Sequence, residues 1–317
     1  MVSEEIMSEK PVLSICIPTY NRADYLRKCL EAIVGQDGFD ERVEVVISDN
    51  CSTDDTGKVA GEFAEKHGNI RYFRNDANYK DRNFALSLQR ASGSLRKLTN
   101  DTIIYKPGAI SYMLEAAERW AEERPQVYFL ASGREDQPLK VDTLEEYIDT
   151  VGINLTWIRS LGIWEDDCDD LSVLEEYAHT NLAQVPFLLS NFRKRNGAVI
   201  YDRLVMDVME VDKKNLSYGL FHVFHDNLLG FIRPHLESGE ISQECYERLR
   251  RSILMDFFTV WMYNLRMNPD QYVVSDEDLP QLLKEAYGKE DYYKEFTRRL
   301  RSMIIKTKIR GLLVKHV

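Results

Sequence analysis

Along the first 130 residues, short apolar runs alternate with stretches whose apolar positions recur at helical spacing. Val12–Ile17 is a β-rich run that ends at Pro18, and Ala23–Val34 sets Leu26, Leu30, Ile33 and Val34 on one helical face. Val43–Ile47 predicts a second strand of the fully buried kind. Ser52 or Thr53 is placed to cap the helix that follows, with Val59, Ala60 and Phe63 on its inner face and Gly68 as its stop. Ile70–Arg74 predicts a third strand, Asn83–Ala91 a helix stopped near Gly93, and Leu95–Leu98 a weak fourth strand. A long helix is predicted from Pro107 through Glu123, then a strand at Val127–Leu130. The β-α-β-α order predicts an α/β fold with a mostly parallel sheet covered by helices on both faces. Ligands on such sheets gather beyond the carboxyl ends of the strands.

Beyond about residue 140 the pattern changes. Thr143–Gly152 has helical spacing, Asn154–Trp164 is a mixed aromatic segment, and Glu165–Asp170 holds five acids in six residues. From Leu216 onward nearly every stretch predicts helix. Ser242 is placed to start one that carries Tyr246, Leu249, Ile253 and Phe257. Ser275 with Asp278 is placed to start another that ends near Gly288. The expected organisation is a flexible segment 1–10, an α/β domain over 11–215 and a helical region over 216–317.

Composition narrows the function. The 317 residues carry a net charge of −11, which argues against nucleic acid as a partner because phosphate binding needs clustered Lys and Arg. Five scattered cysteines without metal-ligand spacing point to a reducing compartment. The polar opening residues have no apolar leader core, and no run approaches a membrane span, so the expected location is the cytoplasm. The acidic balance is uneven: Lys294–Val317 holds eight basic residues and one acid, a local net of +7.

The candidate chemistry lies in three polar loops at strand ends. They are Pro18-Thr19-Tyr20-Asn21-Arg22, Asp49-Asn50-Cys51-Ser52-Thr53-Asp54 and Thr99-Asn100-Asp101-Thr102. Asp and Asn side chains there suit a base edge or ribose hydroxyls, and Arg22 suits negative charge. Asp101 suits a hard divalent cation that bridges diphosphate oxygens. Any one such loop is ordinarily just a turn or cap. Three in register point to a nucleotide pocket.

The ordered set Ser14–Arg22, Val45–Asp54, Asn78–Asn83 and Leu98–Thr102 with Pro107-Gly108-Ala109 resembles the opening of glycosyltransferase family 2, over roughly residues 11–130. The resemblance implies a GT-A (Rossmann-like) fold with a C-terminal helical extension. It also implies inverting transfer of a sugar from a nucleoside-diphosphate donor, with Mn²⁺ or Mg²⁺. The donor residues it implies are Pro18, Thr19, Asn21, Arg22, Asp49, Asn50, Asp81, Asn83, Asn100 and Asp101, with Asp101 also the metal ligand. Two departures stand out: the metal motif keeps one acid, and Thr180–Val185, where the family often carries a catalytic carboxylate, has none. The aromatic stretch Thr156–Trp164 with Gln184 resembles bacterial polysaccharide-type members.

An inverting transfer needs a base for the acceptor hydroxyl. Asp166, with Glu165 beside it, is the favoured candidate, against a solvated acidic turn. Trp157 and Trp164 are candidates for stacking on the acceptor, against ordinary core residues. His222 and His225 read as core or rim histidines. The acceptor class is a saccharide, free or lipid-linked, in surface polysaccharide synthesis; the oligomeric state stays open. In 294–317, Phe296, Leu300, Met303 and Ile304 recur at helical spacing beside Arg298, Arg299, Arg301, Lys306, Lys308 and Arg310. That pattern suits either an anionic membrane surface or a helix packed on its neighbours. Sugar nucleotidyltransferases and dinucleotide-dependent dehydrogenases are excluded because Pro18–Arg22 contains no glycine. A non-catalytic nucleotide-sugar binder is the rival that the thinned acids leave standing.

Overall fold

The computed structural model describes residues 10–133, 137–211 and 213–314, with side chains as far as residue 309. The segment 1–10 expected to be flexible lies, but for Lys10, outside the described residues. β1 (Leu13–Thr19) and β2 (Val43–Asp49) bury every side chain, as strands covered on both faces must. Between them α1 (Ala23–Val34) turns Leu26, Cys29, Leu30 and Ile33 onto the sheet. There follow α2 (Thr56–Lys66), β3 (Ile70–Arg74), α3 (Arg82–Gln89), β4 (Leu95–Leu98), β5 (Ile103–Tyr105), α4 (Ala109–Arg119) and β6 (Gln126–Leu130). Next come β7 (Leu139–Val141), α5 (Leu144–Val151), β8 (Leu161–Trp164), α6 (Ser172–Glu176), α7 (Gln184–Lys194), β9 (Ala198–Asp202) and β10 (Met206–Val208).

The main sheet has the order β3-β2-β1-β4-β8-β6-β9-β7. β8 runs antiparallel to β4 and β6, and β7 antiparallel to β9; the other pairs are parallel. The carboxyl ends of β1, β2, β4, β6 and β9 therefore share one edge, and β8 reaches that edge with its amino end. β5 and β10 form a small antiparallel pair.

Several sequence expectations shift for local reasons. α2 starts at Thr56 because the Asp54 carboxylate takes the Thr56 N–H and hydroxyl, at 3.0 and 2.5 Å. α4 starts at Ala109 because Gly108 sits at φ +80°, a left-handed turn that breaks the helix from Pro107. β5, β7, β8, β9 and β10 depart from the sequence expectation: all but β9 are only three or four residues long, and β8 lies inside the aromatic stretch.

By internal packing the chain divides into two units. The first comprises the chain through Thr143, Trp157–His179 and Pro186–Glu210; the second comprises Leu144–Thr156, Thr180–Val185 and the chain from Val211. The second unit holds β11 (Lys214–Leu216), α8 (Leu228–Glu237), α9 (Gln243–Ser252), α10 (Thr259–Met267), β12 (Tyr272–Val274), α11 (Leu279–Tyr287) and α12 (Tyr293–Val314). Ser242 caps α9 by accepting from the Cys245 N–H, and Asp278 caps α11 by accepting from the Gln281 N–H. His225 stacks on Phe221 with centroids 4.3 Å apart and meets Tyr287 edge-on, and burial lowers its pKa. That is a core histidine. No helix among the described residues is long and apolar enough to cross a membrane.

Candidate active site

The loops after β1 and β2 are tied to each other before any ligand is considered. Asn21, at φ +50°, donates its N–H to the Ser52 hydroxyl at 2.9 Å, and its Oδ1 accepts the Thr53 N–H at 2.7 Å. The Arg22 N–H reaches the Thr56 hydroxyl at 2.9 Å. Asp49 closes the second loop: one oxygen accepts the Ser52 N–H at 2.9 Å and the other accepts the Tyr72 hydroxyl at 2.9 Å. Arg74 Nε lies 3.7 Å from that second oxygen. Burial, reinforced by this carboxylate, pushes the Tyr72 hydroxyl up to about 12.

Beneath this edge lies a polar network. The Asn50 Oδ1 accepts from Asn75 Nδ2 and the Tyr79 N–H, while its Nδ2 donates to Asn78 Oδ1 and the Lys80 carbonyl. The Asn83 Oδ1 accepts from the Ser48 hydroxyl and Asn75 Nδ2, and its Nδ2 donates to the Ser48 carbonyl. Arg90 spans Ser48 and Asn75 at 2.6 and 2.7 Å. Asn50 and Asn83 are buried and internally committed, which corrects their reading as ligand contacts: they position the loops. Asp81 differs. It stands half-buried at the start of α3, nothing among the described residues donates to its side chain, and burial pushes its carboxyl up. Pro18, buried on β1, has no N–H to offer and sits beneath the first loop.

Asp101 stands where the first and third loops meet. Its Oδ2 accepts the Thr19 hydroxyl at 2.8 Å, and its Oδ1 lies 3.8 Å from Arg22 Nη1. Burial pushes its carboxyl up to about 6 against the pull of Arg22 and the Thr19 hydrogen bond. Next to it, Asn100 Oδ1 is buried without a hydrogen-bond partner. A carboxylate with part of its charge uncompensated and an unpartnered amide oxygen are the donor types that a hard divalent cation takes. These two residues fit one. The other metal-type cluster among the described residues, Glu145–Asp149–Cys245, is already occupied by Arg248 and Ser242.

The direction of β8 removes Trp164, Glu165 and Asp166 from the site at Asp101. Trp164 pairs with Leu95, which pairs with Leu13, at the end of the sheet opposite Thr19. Six strand steps lead from Leu13 to Thr19, about 20 Å at ~3.3 Å each. Glu165 and Asp166 follow Trp164 at that far end. Arg124 holds both, Arg195 pairs with Asp166 at 2.8 Å, and Lys10 bonds Glu165. Neither reaches a proton near Asp101. Trp164 is fully buried with its indole N–H on the Pro125 carbonyl at 2.7 Å, so it offers no face to a sugar. Trp157 is at the other end, half-buried, with the Arg159 guanidinium 3.9 Å above its ring.

Ser52 lies in the loop Asp49–Asp54 that the sequence singles out; its fellow clamp Thr56, the Tyr72–Arg74 pair and the Asn75–Arg90 bridge fall outside every stretch singled out there for the site.

Residues 14–123 match the model of "Glycosyl transferase family 2". Abequosyltransferase RfbV of Salmonella typhimurium is 42% identical over 84 residues, 26% of this chain and 25% of that protein. A GalNAc(5)-diNAcBac-PP-undecaprenol beta-1,3-glucosyltransferase of Campylobacter jejuni is 34% identical over 110 residues, 34% of this chain and 35% of that one. The chain thus matches only a quarter to a third of the length of these relatives. Among solved structures, S. aureus TarS 1-349 superposes with a TM-score of 0.56 at 14% identity, covering 92% of this chain and 82% of that one. Mannosyltransferase PcManGT from Pyrobaculum calidifontis, in complex with GDP-Man and Mn²⁺, superposes with a TM-score of 0.51 at 15% identity, covering 96% and 87%. Residues 14–123 are thus similar to glycosyltransferase family 2, and the fold around them is that of the GT-A structures on which the chain superposes.

Proposed function

We propose that this chain transfers a sugar, with inversion, from a nucleoside diphosphate to a hydroxyl of a saccharide acceptor in surface polysaccharide synthesis. One observation carries the reading. Asp101, buried and incompletely neutralised, sits among loops already locked into a rim by Asn21, Ser52, Thr53 and Thr56. A Mg²⁺ or Mn²⁺ ion held by Asp101 and Asn100 would neutralise charge on the leaving diphosphate. Arg22 adds a guanidinium on the same side, while Asp81 offers an uncommitted carboxylate to ribose or base hydroxyls. The donor loops need little reorganisation to bind, which favours orientation over induced fit. The test is a panel of UDP-, GDP- and dTDP-sugars, assayed for hydrolysis and transfer with Mn²⁺ and with excess chelator. Turnover of one donor class with Mn²⁺ alone supports the reading; equal turnover in chelator contradicts the metal.

The displacement of Glu165 and Asp166 to the far end of the sheet favours a second reading, nucleotide-sugar binding without transfer. Tight donor binding with no turnover on any acceptor would select it.

The membrane proposal needs a changed face. Phe296, Leu300 and Ile304, the stripe singled out from sequence, are buried in the second unit. Ile305 and Ile309 are exposed instead, 56% and 51%, on one side of α12 with Arg298, Arg301 and Lys308. We propose that this mixed face lies on an anionic membrane, each basic residue adding about 1 kcal/mol near the headgroups, and that the acceptor is lipid-linked. Arg310 and the rest of 310–317 lie outside the described side chains.

A further inference from the structure

The segment just before β8, Trp157–Ser160, reaches the same edge of the sheet as Asp101, because β8 runs antiparallel to β4. Lys97 anchors it there: its ammonium, wholly buried, donates to the Leu98 carbonyl at 2.9 Å and to the Arg159 carbonyl. Arg159 then places its guanidinium carbon 3.9 Å over the centre of the Trp157 ring. Its Nε is buried and has no hydrogen-bond partner, and no carboxylate among the described residues comes within ion-pair distance of it. Other half-buried arginines of this unit are treated differently. Arg195 meets both Asp166 and Asp167 at 2.8 Å, and Arg90 is hydrogen-bonded at both ends. A guanidinium taken partly out of water without an anion is costly, and burial accordingly lowers its pKa. Stacking on an indole leaves the N–H edge of an arginine free for a bidentate oxyanion.

Position says whose oxyanion. The donor loops follow β1, β2 and β4, whereas Trp157–Ser160 stands on the other side of β4, next to β8. Arg22 already supplies the cation beside Asp101. We propose that Arg159, held on Trp157 and backed by Lys97, binds an oxyanion carried by the acceptor saccharide, either a phosphate or a carboxylate. Trp157 is then the platform of an anion site and not itself a sugar-stacking face. The location as an acceptor site rests on the donor reading above; the anion site itself does not.

The test titrates the full-length protein with glucose 1-phosphate, glucuronate and glucose by calorimetry, first alone and then with UDP and Mn²⁺ present. At least one anionic sugar should bind ten times more tightly than glucose, and which one it is separates phosphate from carboxylate. Arg159→Gln should erase that preference and Arg159→Lys restore part of it. UDP affinity should move less than twofold in either variant, and Arg159→Gln should not melt below wild type, since it removes an unpaired buried cation. No preference for the anions, or one that survives Arg159→Gln, overturns the site. A tenfold loss of UDP affinity in Arg159→Gln assigns the guanidinium to the donor diphosphate and overturns the acceptor placement. Failure of wild type to bind any of UDP, GDP and dTDP sinks the donor reading alone, because the titrations without nucleotide stand separately.

Discussion

Asp101→Asn should make the metal-free protein more stable while removing its ability to hold a metal. The carboxyl titrates at 3.8 in a solvated chain and at about 6 here, chiefly through burial. At 1.36 kcal/mol per tenfold, that difference costs the folded state about 3 kcal/mol once both states are ionised. The sign follows from proton counts. Below pH 4 the group is neutral folded and unfolded and costs nothing. Between pH 4 and 6 the folded state holds the proton that the unfolded state has lost, so stability falls as pH rises. Above pH 6 the full cost is present. Asparagine keeps an oxygen for the Thr19 hydroxyl and carries no charge, so it escapes the cost. Urea unfolding in chelator should therefore show the variant more stable by about 1.5 kcal/mol at pH 5 and about 3 kcal/mol at pH 7.5. Destabilisation by Asp101→Asn, or a gain that does not grow with pH, would refute the claim that this carboxylate is held short of compensation.

Asp166→Asn should leave turnover unchanged and cost about 0.5–1 kcal/mol, the worth of a partly exposed ion pair; a large fall in turnover at constant donor affinity would return it to the chemistry. Asp49→Ala should cost about 2–4 kcal/mol in chemical denaturation, because it strands the Ser52 N–H and the Tyr72 hydroxyl; a melting curve like that of wild type would show that the second loop does not depend on it. Ile305→Asp with Ile309→Asp should reduce co-sedimentation with phosphatidylserine vesicles severalfold without lowering the melting temperature, both side chains being exposed; undiminished binding would remove α12 from the membrane account.

The half of the fold that positions the donor loops was legible because its strands are buried on both faces. Runs such as Ser14–Ile17 and Val45–Ile47 have no other comfortable state. The amphipathic helices between them, and the Ser242 cap, are local signals that packing did not override; at α11 the cap is Asp278 itself and not Ser275. β8 escaped because four residues flanked by 3₁₀ turns carry too little periodicity. Its direction is a tertiary fact that no local pattern encodes. That one direction decided the site: it sent Trp164, Glu165 and Asp166 to the far end of the sheet and brought Trp157 and Arg159 to the near one. The same holds for Asn50 and Asn83. Their residue type suited a ligand, but only the fold shows that Ser48, Asn75 and Lys80 use up their hydrogen bonds. The α12 stripe failed for a related reason, since periodicity finds an apolar face without saying what covers it.

The central claim is that the edge of the sheet at Asp101 is a metal-assisted nucleoside-diphosphate site. Calorimetric titration of UDP, GDP and dTDP into wild type and Asp101→Asn, each with Mn²⁺ and with chelator, tests it most directly. One nucleotide should bind wild type with Mn²⁺ at least tenfold more tightly than in chelator, and Asp101→Asn should abolish the difference. A nucleotide affinity indifferent to Mn²⁺, or a Mn²⁺ effect of full size in Asp101→Asn, would contradict it.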